Sequence, residues 1–137
     1  MFMFTRFLLP ALTVGSIALA TACGGSSVDL AADATKVADQ APATSFDLIA
    51  KGNKFNQSIL VAKADSEVKI SLANQDTSGV HNFALYTDKD AKELIYRGEI
   101  FQGNKTVDDS FQAPAPGVYY FRCDAHPDEM TGTFVTK

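Results

Sequence analysis

Residues that bind soft metal ions are scarce in this chain of 137 residues, which has two cysteines, two histidines, three methionines and no tryptophan. Two cysteines are too few for a disulfide-dense scaffold or a four-cysteine zinc site. Basic residues are also in the minority, because the net charge is −4, and such a chain is a poor general nucleic-acid binder. The length and a hydrophobic content of 46% favour one folded domain over wholesale disorder. The few metal-binding residues can therefore be inspected one by one.

The N-terminal segment is typical of a signal peptide. Residues 1–22 place one basic residue, Arg6, before an apolar run, and small residues follow just before Cys23. A membrane-spanning anchor is the alternative, but Pro10 interrupts the run and a span needs about 20 predominantly apolar residues. The run LATAC at residues 19–23 resembles the lipobox of bacterial lipoproteins, which implies cleavage before Cys23 and lipid attachment to its sulfur. The expected product has a net charge of −5 and is held by its lipid on a membrane, in the periplasm or at the cell surface.

The rest of the chain divides into a polar segment and an aromatic one. Residues 23–44 are small and polar without any aromatic side chain, which predicts a lipid-anchored flexible linker. A weak helix over residues 28–38 is the alternative. A coil of this length spans about 25 Å on average, which would let the domain swivel above a membrane. Aromatic residues begin at Phe46, and this change predicts a folded domain over residues 45–137.

Short strand-like runs separated by turn residues fill the domain. Residues 67–72 alternate polar and apolar side chains with a period of two, which is typical of a half-buried strand. Further strands are predicted at residues 46–50, 58–62, 80–86, 118–123 and 131–136, and a single helical turn is predicted at residues 90–95. Many short strands without a long amphipathic helix predict an all-β fold, an antiparallel sandwich or barrel.

The last part of the domain contains a metal-binding motif. Cys123, His126 and Met130 follow one another as C-x₂-H-x₃-M. One thiolate, one imidazole and one thioether form a soft to borderline donor set, which favours copper over Mg²⁺ or Ca²⁺. A trigonal blue-copper site needs a second histidine, and the only other one is His81, 42 residues before the cysteine. Plain packing or solvent exposure is the alternative explanation for each residue taken singly.

The run GVYYFRCDAHPDEMTGTF over residues 117–134, with the histidine–asparagine pair at residues 81–82, resembles the cupredoxins, the type I copper proteins that include plastocyanin, azurin and amicyanin. The resemblance covers residues 45–137 and implies a Greek-key antiparallel β-sandwich that holds one copper ion. By motif position it implies four ligands, the last of them a weak axial one: His81, Cys123, His126 and Met130.

The same resemblance implies a supporting role for Asn82. Its side chain would tie the two ligand loops together, and its backbone N–H would donate to the cysteine sulfur. Alternation along the strand before the cysteine predicts Tyr119 and Phe121 in the core behind the sulfur. Tyr120 and Arg122 are then expected to face outward.

A site whose ligands all come from the protein leaves no position for a substrate, which favours a one-electron carrier over an enzyme. In the family the loop histidine is the more exposed ligand, which implies that electrons leave through His126. Asp124, Asp128 and Glu129 lie around it, and this acidic rim predicts a transient redox partner with a basic docking face. A cytochrome, a membrane oxidase and a photosynthetic reaction centre are all open as that partner.

Three other classes of protein compete with a monomeric carrier. A copper buffer or delivery lipoprotein would use similar ligands but would exchange its metal readily. An enzyme would pair Cys123 as nucleophile with His126 as base, but no third residue to orient the base is evident. A metal-free interaction lipoprotein with an immunoglobulin-like sandwich would bind no copper.

Overall fold

The computed structural model describes residues 28–137, so the predicted signal peptide and Cys23 lie outside the described residues. Within that range the chain forms one helix and ten strands. They are α1 (Leu30–Lys36), β1 (Ser45–Ala50), β2 (Ile59–Ala62), β3 (Glu67–Asn74), β4 (Val80–His81), β5 (Ala84–Tyr86), β6 (Leu94–Arg97), β7 (Phe101–Gln102), β8 (Lys105–Gln112), β9 (Gly117–Arg122) and β10 (Thr131–Thr136). The all-β fold class is confirmed.

Two sheets form the layers of the sandwich. One has the strand order β1-β3-β8, the other has the order β2-β10-β9-β5-β6, and β4 and β7 form a separate pair. Two of the pairings, β1 with β3 and β2 with β10, are parallel, which departs from a purely antiparallel arrangement. Both parallel pairs join strands that are not consecutive in the chain, so they depend on long-range packing and leave no local signal in the sequence.

The core lies between the two larger sheets. The predicted alternation of β3 is confirmed, because Val68, Ile70 and Leu72 are buried and the residues between them are not. Phe83 stacks on Phe121 with ring centroids 5.4 Å apart, and both rings belong to the same buried cluster as the cysteine and methionine of the motif. The motif therefore sits against a wall of aromatic rings.

The segment predicted as one strand at residues 80–86 is two short strands. His81 pairs with Phe101 in the small sheet, whereas Ala84 pairs with residues of β6 and β9, so the chain changes sheet between them. The predicted helical turn at residues 90–95 is wrong. Ala91 has a φ of 51°, which no helix tolerates, and Leu94 pairs with Tyr86 to begin β6.

Residues 28–44, which we call the strap, pack against the sandwich, and this corrects the prediction of a flexible linker for that stretch. Asp29 caps α1 by accepting a 3.0 Å hydrogen bond from the N–H of Ala32. After the helix, Val37 is buried with Val61 and Val135 on the outer face of the five-stranded sheet. The few apolar residues of the strap thus match an apolar patch that only the folded sheet creates.

Polar contacts hold the helix of the strap and the residues that follow it. Thr133 donates a 2.8 Å hydrogen bond to Asp33, and the ammonium of Lys137 donates to the carbonyls of Val37, Ala38 and Gln40 at 2.6–2.9 Å. Tyr120 points away from the core as predicted, yet it is buried because the first residues of the strap cover it. No helix in residues 28–137 has both the length and the apolar character needed to cross a membrane.

Candidate metal centre

The four residues of the predicted ligand set lie at one end of the sandwich, where three strands begin or end. His81 is the last residue of β4, Cys123 directly follows β9, and Met130 directly precedes β10. His126 lies in the loop between the cysteine and the methionine. The strand ends therefore fix three of the four positions, and the six residues between Cys123 and Met130 include the fourth.

Three donor atoms converge at this end. The Sγ atom of Cys123 lies 3.9 Å from Nδ1 of His81 and 3.8 Å from Nδ1 of His126. The donor atoms of the three residues all lie within 4.8 Å of one another, and the imidazole rings have centroids 5.0 Å apart. A thiol is only a weak hydrogen-bond donor and acceptor, so a shared cation suits the convergence of three donor atoms better.

The distances between the donors fit a metal ion. Bonds of about 2.3 Å to sulfur and about 2.0 Å to nitrogen, the lengths found for zinc, a divalent first-row ion, place S and N about 3.7–3.9 Å apart when the angle at the metal is about 120–130°. The observed separations are 3.8 and 3.9 Å. Two imidazoles and one thiolate at such angles form the trigonal set that copper adopts in blue-copper proteins.

The ligand loop, residues 123–130, is closed by its own backbone. The N–H of Cys123 donates to the carbonyl of Met130 at 2.9 Å, and the N–H of Met130 donates to the carbonyl of His126 at 3.0 Å. The N–H of His126 in turn donates to the carbonyl of Cys123 at 3.1 Å. Each of the three residues is thus bonded to the other two, which holds the loop in shape. The role of Met130 as axial ligand stays a prediction, supported by its complete burial beside Cys123.

Burial differs among the donors. His81 and Cys123 are fully buried, whereas His126 is partly exposed. The site is therefore closed to water on the side of β4 and reaches the surface at the loop histidine.

Asn82 joins the two segments that carry the ligands. Its side-chain oxygen accepts a 2.8 Å hydrogen bond from the N–H of Asp124, and its side-chain nitrogen donates to the carbonyl of Gly98 at 3.2 Å. The residue is completely buried. The predicted tie between the loops is present in the structure, and the predicted N–H bond to the cysteine sulfur stays a prediction.

Asp76 contacts the site and was missed from the sequence. Its Oδ2 atom lies 2.9 Å from Nε2 of His81, on the side of the ring away from the sulfur. The N–H of Gly52 and, after it, the His81 imidazole hold the pKa of the Asp76 carboxyl below its usual value. The only signal in the sequence is a carboxylate five residues before a histidine, which is too common to single out.

Asp124 does not belong to a free acidic rim. Its carboxylate accepts hydrogen bonds from Tyr86 at 2.7 Å, Arg97 at 2.7 Å and Arg122 at 2.9 Å. Burial raises the pKa of Asp124, but these bonds and the two guanidinium charges outweigh burial, and the pKa lies below its usual value. Of the three predicted rim carboxylates, Asp128 and Glu129 are exposed and Asp124 is paired internally.

The sequence matches a known family model over most of its length. The model describes the cupredoxin-like domain, and it matches residues 17–136. No curated protein matches the chain by sequence.

Solved structures share the fold at low sequence identity. Auracyanin from the photosynthetic bacterium Roseiflexus castenholzii is 16% identical with a TM-score of 0.64, over 71% of this chain and 99% of auracyanin. Auracyanin A, a blue copper protein from Chloroflexus aurantiacus, is 23% identical with a TM-score of 0.62, over 71% and 100% of the two chains. Rusticyanin from Thiobacillus ferrooxidans is 14% identical with a TM-score of 0.55, over 70% and 79%. At these identities the similarity establishes the fold.

Proposed function

The chain belongs to the cupredoxin-like family, and from this membership we propose that it is a one-electron carrier that binds a single type I copper ion. One observation supports the proposal above all others. Both Nδ1 atoms, of His81 and His126, face the Sγ atom of Cys123 at 3.8–3.9 Å. One of the related structures named above, auracyanin A, is described as a blue copper protein, which agrees with this assignment.

A copper ion held by these residues supplies one-electron chemistry, since it is stable as Cu(II) and as Cu(I). The chain's own contribution is to hold the donor atoms. The buried side chains of His81 and Cys123 exclude water, and the backbone bonds of the ligand loop resist any change in the donor positions. Because the donor set comes entirely from side chains, we propose a carrier and not an enzyme.

We propose that electrons enter and leave at His126, the partly exposed donor. Asp128 and Glu129 are exposed close to it in sequence, and they support a transient redox partner with basic residues on its docking face. Neutralising both, as Asp128→Asn with Glu129→Gln, is expected to slow electron transfer to such a partner and to flatten its dependence on ionic strength. Asp88→Asn with Asp90→Asn, at another exposed loop, is the control for net charge.

We propose that the protein is exported and held on a membrane by lipid at Cys23. The strap begins at Val28, which lines a surface depression together with Glu129 and Thr131 beside the ligand loop. The five residue steps from Cys23 to Val28 can span at most about 18 Å. An anchor there would keep the metal end close to the bilayer, within reach of a membrane-bound partner.

Two measurements test the anchor. Labelling of cells with a radioactive fatty acid is expected to mark the wild-type chain and not the Cys23→Ser variant. In vesicles with spin-labelled headgroups, the amide N–H signals of His126 and residues 128–130 are expected to broaden more than those of residues 63–66 at the opposite end. Equal labelling of both proteins, or stronger broadening at residues 63–66, would contradict the proposed anchor.

The copper assignment is tested on the full chain. After addition of Cu(II), we expect an intense visible band from charge transfer between thiolate and copper, and a reversible one-electron couple by voltammetry. Cys123→Ser is expected to abolish the band. Cys23→Ser, the matched control for the other cysteine, is expected to keep it.

The rival functions give different results. Rapid loss of copper to a chelator without a reversible couple would favour a copper buffer or delivery protein. Absence of any copper binding would favour a metal-free interaction protein. A band that persists in Cys123→Ser would show that the thiolate assignment is wrong.

A further inference from the structure

The carboxylate of Asp76 contacts the His81 ring on the side that faces away from the other donor atoms. Its Oδ2 atom lies 2.9 Å from Nε2 of His81, while Nδ1 of the same ring faces the sulfur of Cys123 at 3.9 Å. The histidine is completely buried, so its outer nitrogen meets this carboxylate in place of water. A ring nitrogen that donates to a carboxylate leaves the other nitrogen unprotonated and free to bind a metal.

A turn elsewhere in the chain fixes the carboxylate. The backbone of residues 51–54 forms a two-residue turn in which Gly52 and Asn53 both have a φ of 56°. Positive φ at both central residues is the mark of a type I′ turn, and glycine and asparagine are among the residues that adopt it most readily. It directs the N–H of Gly52 to both oxygens of Asp76, at 3.0 and 2.9 Å.

A second brace shapes the loop that carries the carboxylate. Asn74 is buried, donates its side-chain N–H to the carbonyl of Gly79 at 2.9 Å, and accepts the N–H of Asp76 at 2.9 Å. Gly79 has no side chain, and a Cβ there would lie 2.8 Å from Cβ of Asp76 and 2.9 Å from Nε2 of His81. The approach of carboxylate to imidazole therefore requires glycine at residue 79 and is braced by the two hydrogen bonds of Asn74.

The two imidazoles are held differently. In the described part of the chain the carboxylate contact is made by His81, and His126 has no ion pair with a carboxylate. One nitrogen donor is thus locked and buried, and the other is partly exposed on a loop. Packing alone does not account for the contact between Asp76 and His81, because it places a charged carboxylate against a buried ring.

We propose that Asp76 is a positioning residue that fixes His81 with its proton on Nε2, presents Nδ1 to the metal, and lowers the reduction potential of the copper. This inference rests on the proposed function and deepens it. A negative charge one ring away from the metal stabilises the ion with the higher positive charge, so it favours Cu(II) over Cu(I). The electron affinity of the centre is then set partly by a residue outside the ligand set.

The experiment compares Asp76→Asn with Asp65→Asn in the full chain. Both variants remove one negative charge, but Asp65 lies beside Pro114 and Lys137 at the end of the sandwich opposite the ligand loop. Long-range proton–nitrogen NMR of the metal-free protein reports which imidazole nitrogen of His81 carries the proton. Voltammetry of the copper-loaded protein reports the potential, and copper titration reports affinity.

In the wild-type protein and in Asp65→Asn we expect the proton on Nε2, strongly deshielded and slow to exchange. In Asp76→Asn we expect its exchange to be faster, copper to bind roughly 10–100-fold more weakly, and the potential to rise. A tenfold loss of preference for Cu(II) over Cu(I) corresponds to about 59 mV for one electron. Asp76→Glu is expected to recover part of the shift, because it restores the charge.

Three results would overturn the inference. They are a wild-type His81 with its proton on Nδ1, an Asp76→Asn variant with an unchanged potential, and a rise of equal size in Asp65→Asn. The NMR measurement on the metal-free wild-type protein needs neither copper nor a folded variant. It therefore tests the orientation of His81 even if copper binding itself, and with it the proposed function, fails.

Discussion

The buried side chain of Asn82 accepts the backbone N–H of Asp124 at 2.8 Å and so connects the residue after one donor, His81, to the residue after another, Cys123. The two residues are 42 positions apart in the chain. This bond and the bond from the Asn82 side chain to the carbonyl of Gly98 hold the ends of β4 and β9 together without the help of a metal ion.

Replacing Asn82 by alanine is expected to destabilise the metal-free protein. The substitution leaves the N–H of Asp124 and the carbonyl of Gly98 without their partner, and an unpaired buried polar group costs about 1–3 kcal/mol. Urea unfolding followed by circular dichroism measures the loss. Asn104→Ala, at an exposed position, is the control and should change the free energy of unfolding by less than about 0.5 kcal/mol. Equal stability of the two variants would remove the structural role of Asn82.

Substitution of Met130 tests whether its sulfur acts on the copper. Met130→Gln offers a harder oxygen donor and is expected to lower the reduction potential, while Met130→Leu removes the donor and is expected to raise it. Because leucine nearly conserves the buried volume, its cost in stability should stay below about 1.5 kcal/mol. Voltammetry and thermal unfolding provide the two measurements. A potential that is the same in both variants would exclude Met130 as a ligand.

The strap is expected to loosen in acid. The Lys36 ammonium and, against the effect of burial, the Thr133 hydroxyl hold the pKa of Asp33 below its usual value of 3.8. A lowered carboxyl pKa stabilises the fold above the unfolded value, and this stabilisation is lost as the pH falls through the folded value. Hydrogen exchange of the α1 amides should therefore speed up below about pH 4 relative to the sheet amides.

Substitutions at neutral pH distinguish the contribution of the Asp33 carboxylate from the general effect of acid. Asp33→Ala is expected to speed exchange of α1 at neutral pH, and Asp39→Ala, at an exposed position outside these contacts, should not. If both variants exchange alike, Asp33 does not hold the strap.

Tyr96 is expected to titrate late. Burial and the hydrogen bond to Asp109, 2.8 Å long, raise the pKa of Tyr96 from 10.0 to about 12. A tyrosine with a raised pKa contributes stability that is present below about pH 10 and lost as the pH rises through about 12. Absorbance of the phenolate measures the titration. Tyr96→Phe should remove the tyrosine titration step that occurs at the highest pH, and Tyr119→Phe should retain it. If that step belonged to another tyrosine, the burial argument would be wrong.

The residues brought together in the metal centre could be predicted because each one is chemically rare in this sequence. Two histidines and one cysteine of the folded domain left few combinations, and the spacing of the motif narrowed them further. Asp76 could not be found in the same way. Aspartate is a common residue, and the contact of Asp76 with His81 depends on a turn at Gly52, which lies 24 residues before Asp76.

The strap and the pairing of Asp124 were misjudged for a related reason. The strap has too few apolar residues to form a core, and what it packs against is made by strands that follow it in the chain. Arg97, 27 residues before Asp124 in the chain, pairs with its carboxylate. The prediction counted Asp124 as a free charge of the acidic rim because only residues near it in sequence were considered. Strand β8 was also missed, because its exposed positions are polar and its inward residues include Asp109, bonded to Tyr96.

The strap also decides how the molecule responds to a pulling force. A load applied at the N-terminal end of residues 28–137 reaches α1 first, and it meets the contacts of the strap one after another from Leu30 towards the carbonyls bound by Lys137. Contacts loaded in sequence open at lower force than strand pairs sheared together. The helix would therefore peel away before the load reached β10 and, through it, Met130. Tension on the chain would extend the residues of the strap and leave the positions of the donor atoms unchanged.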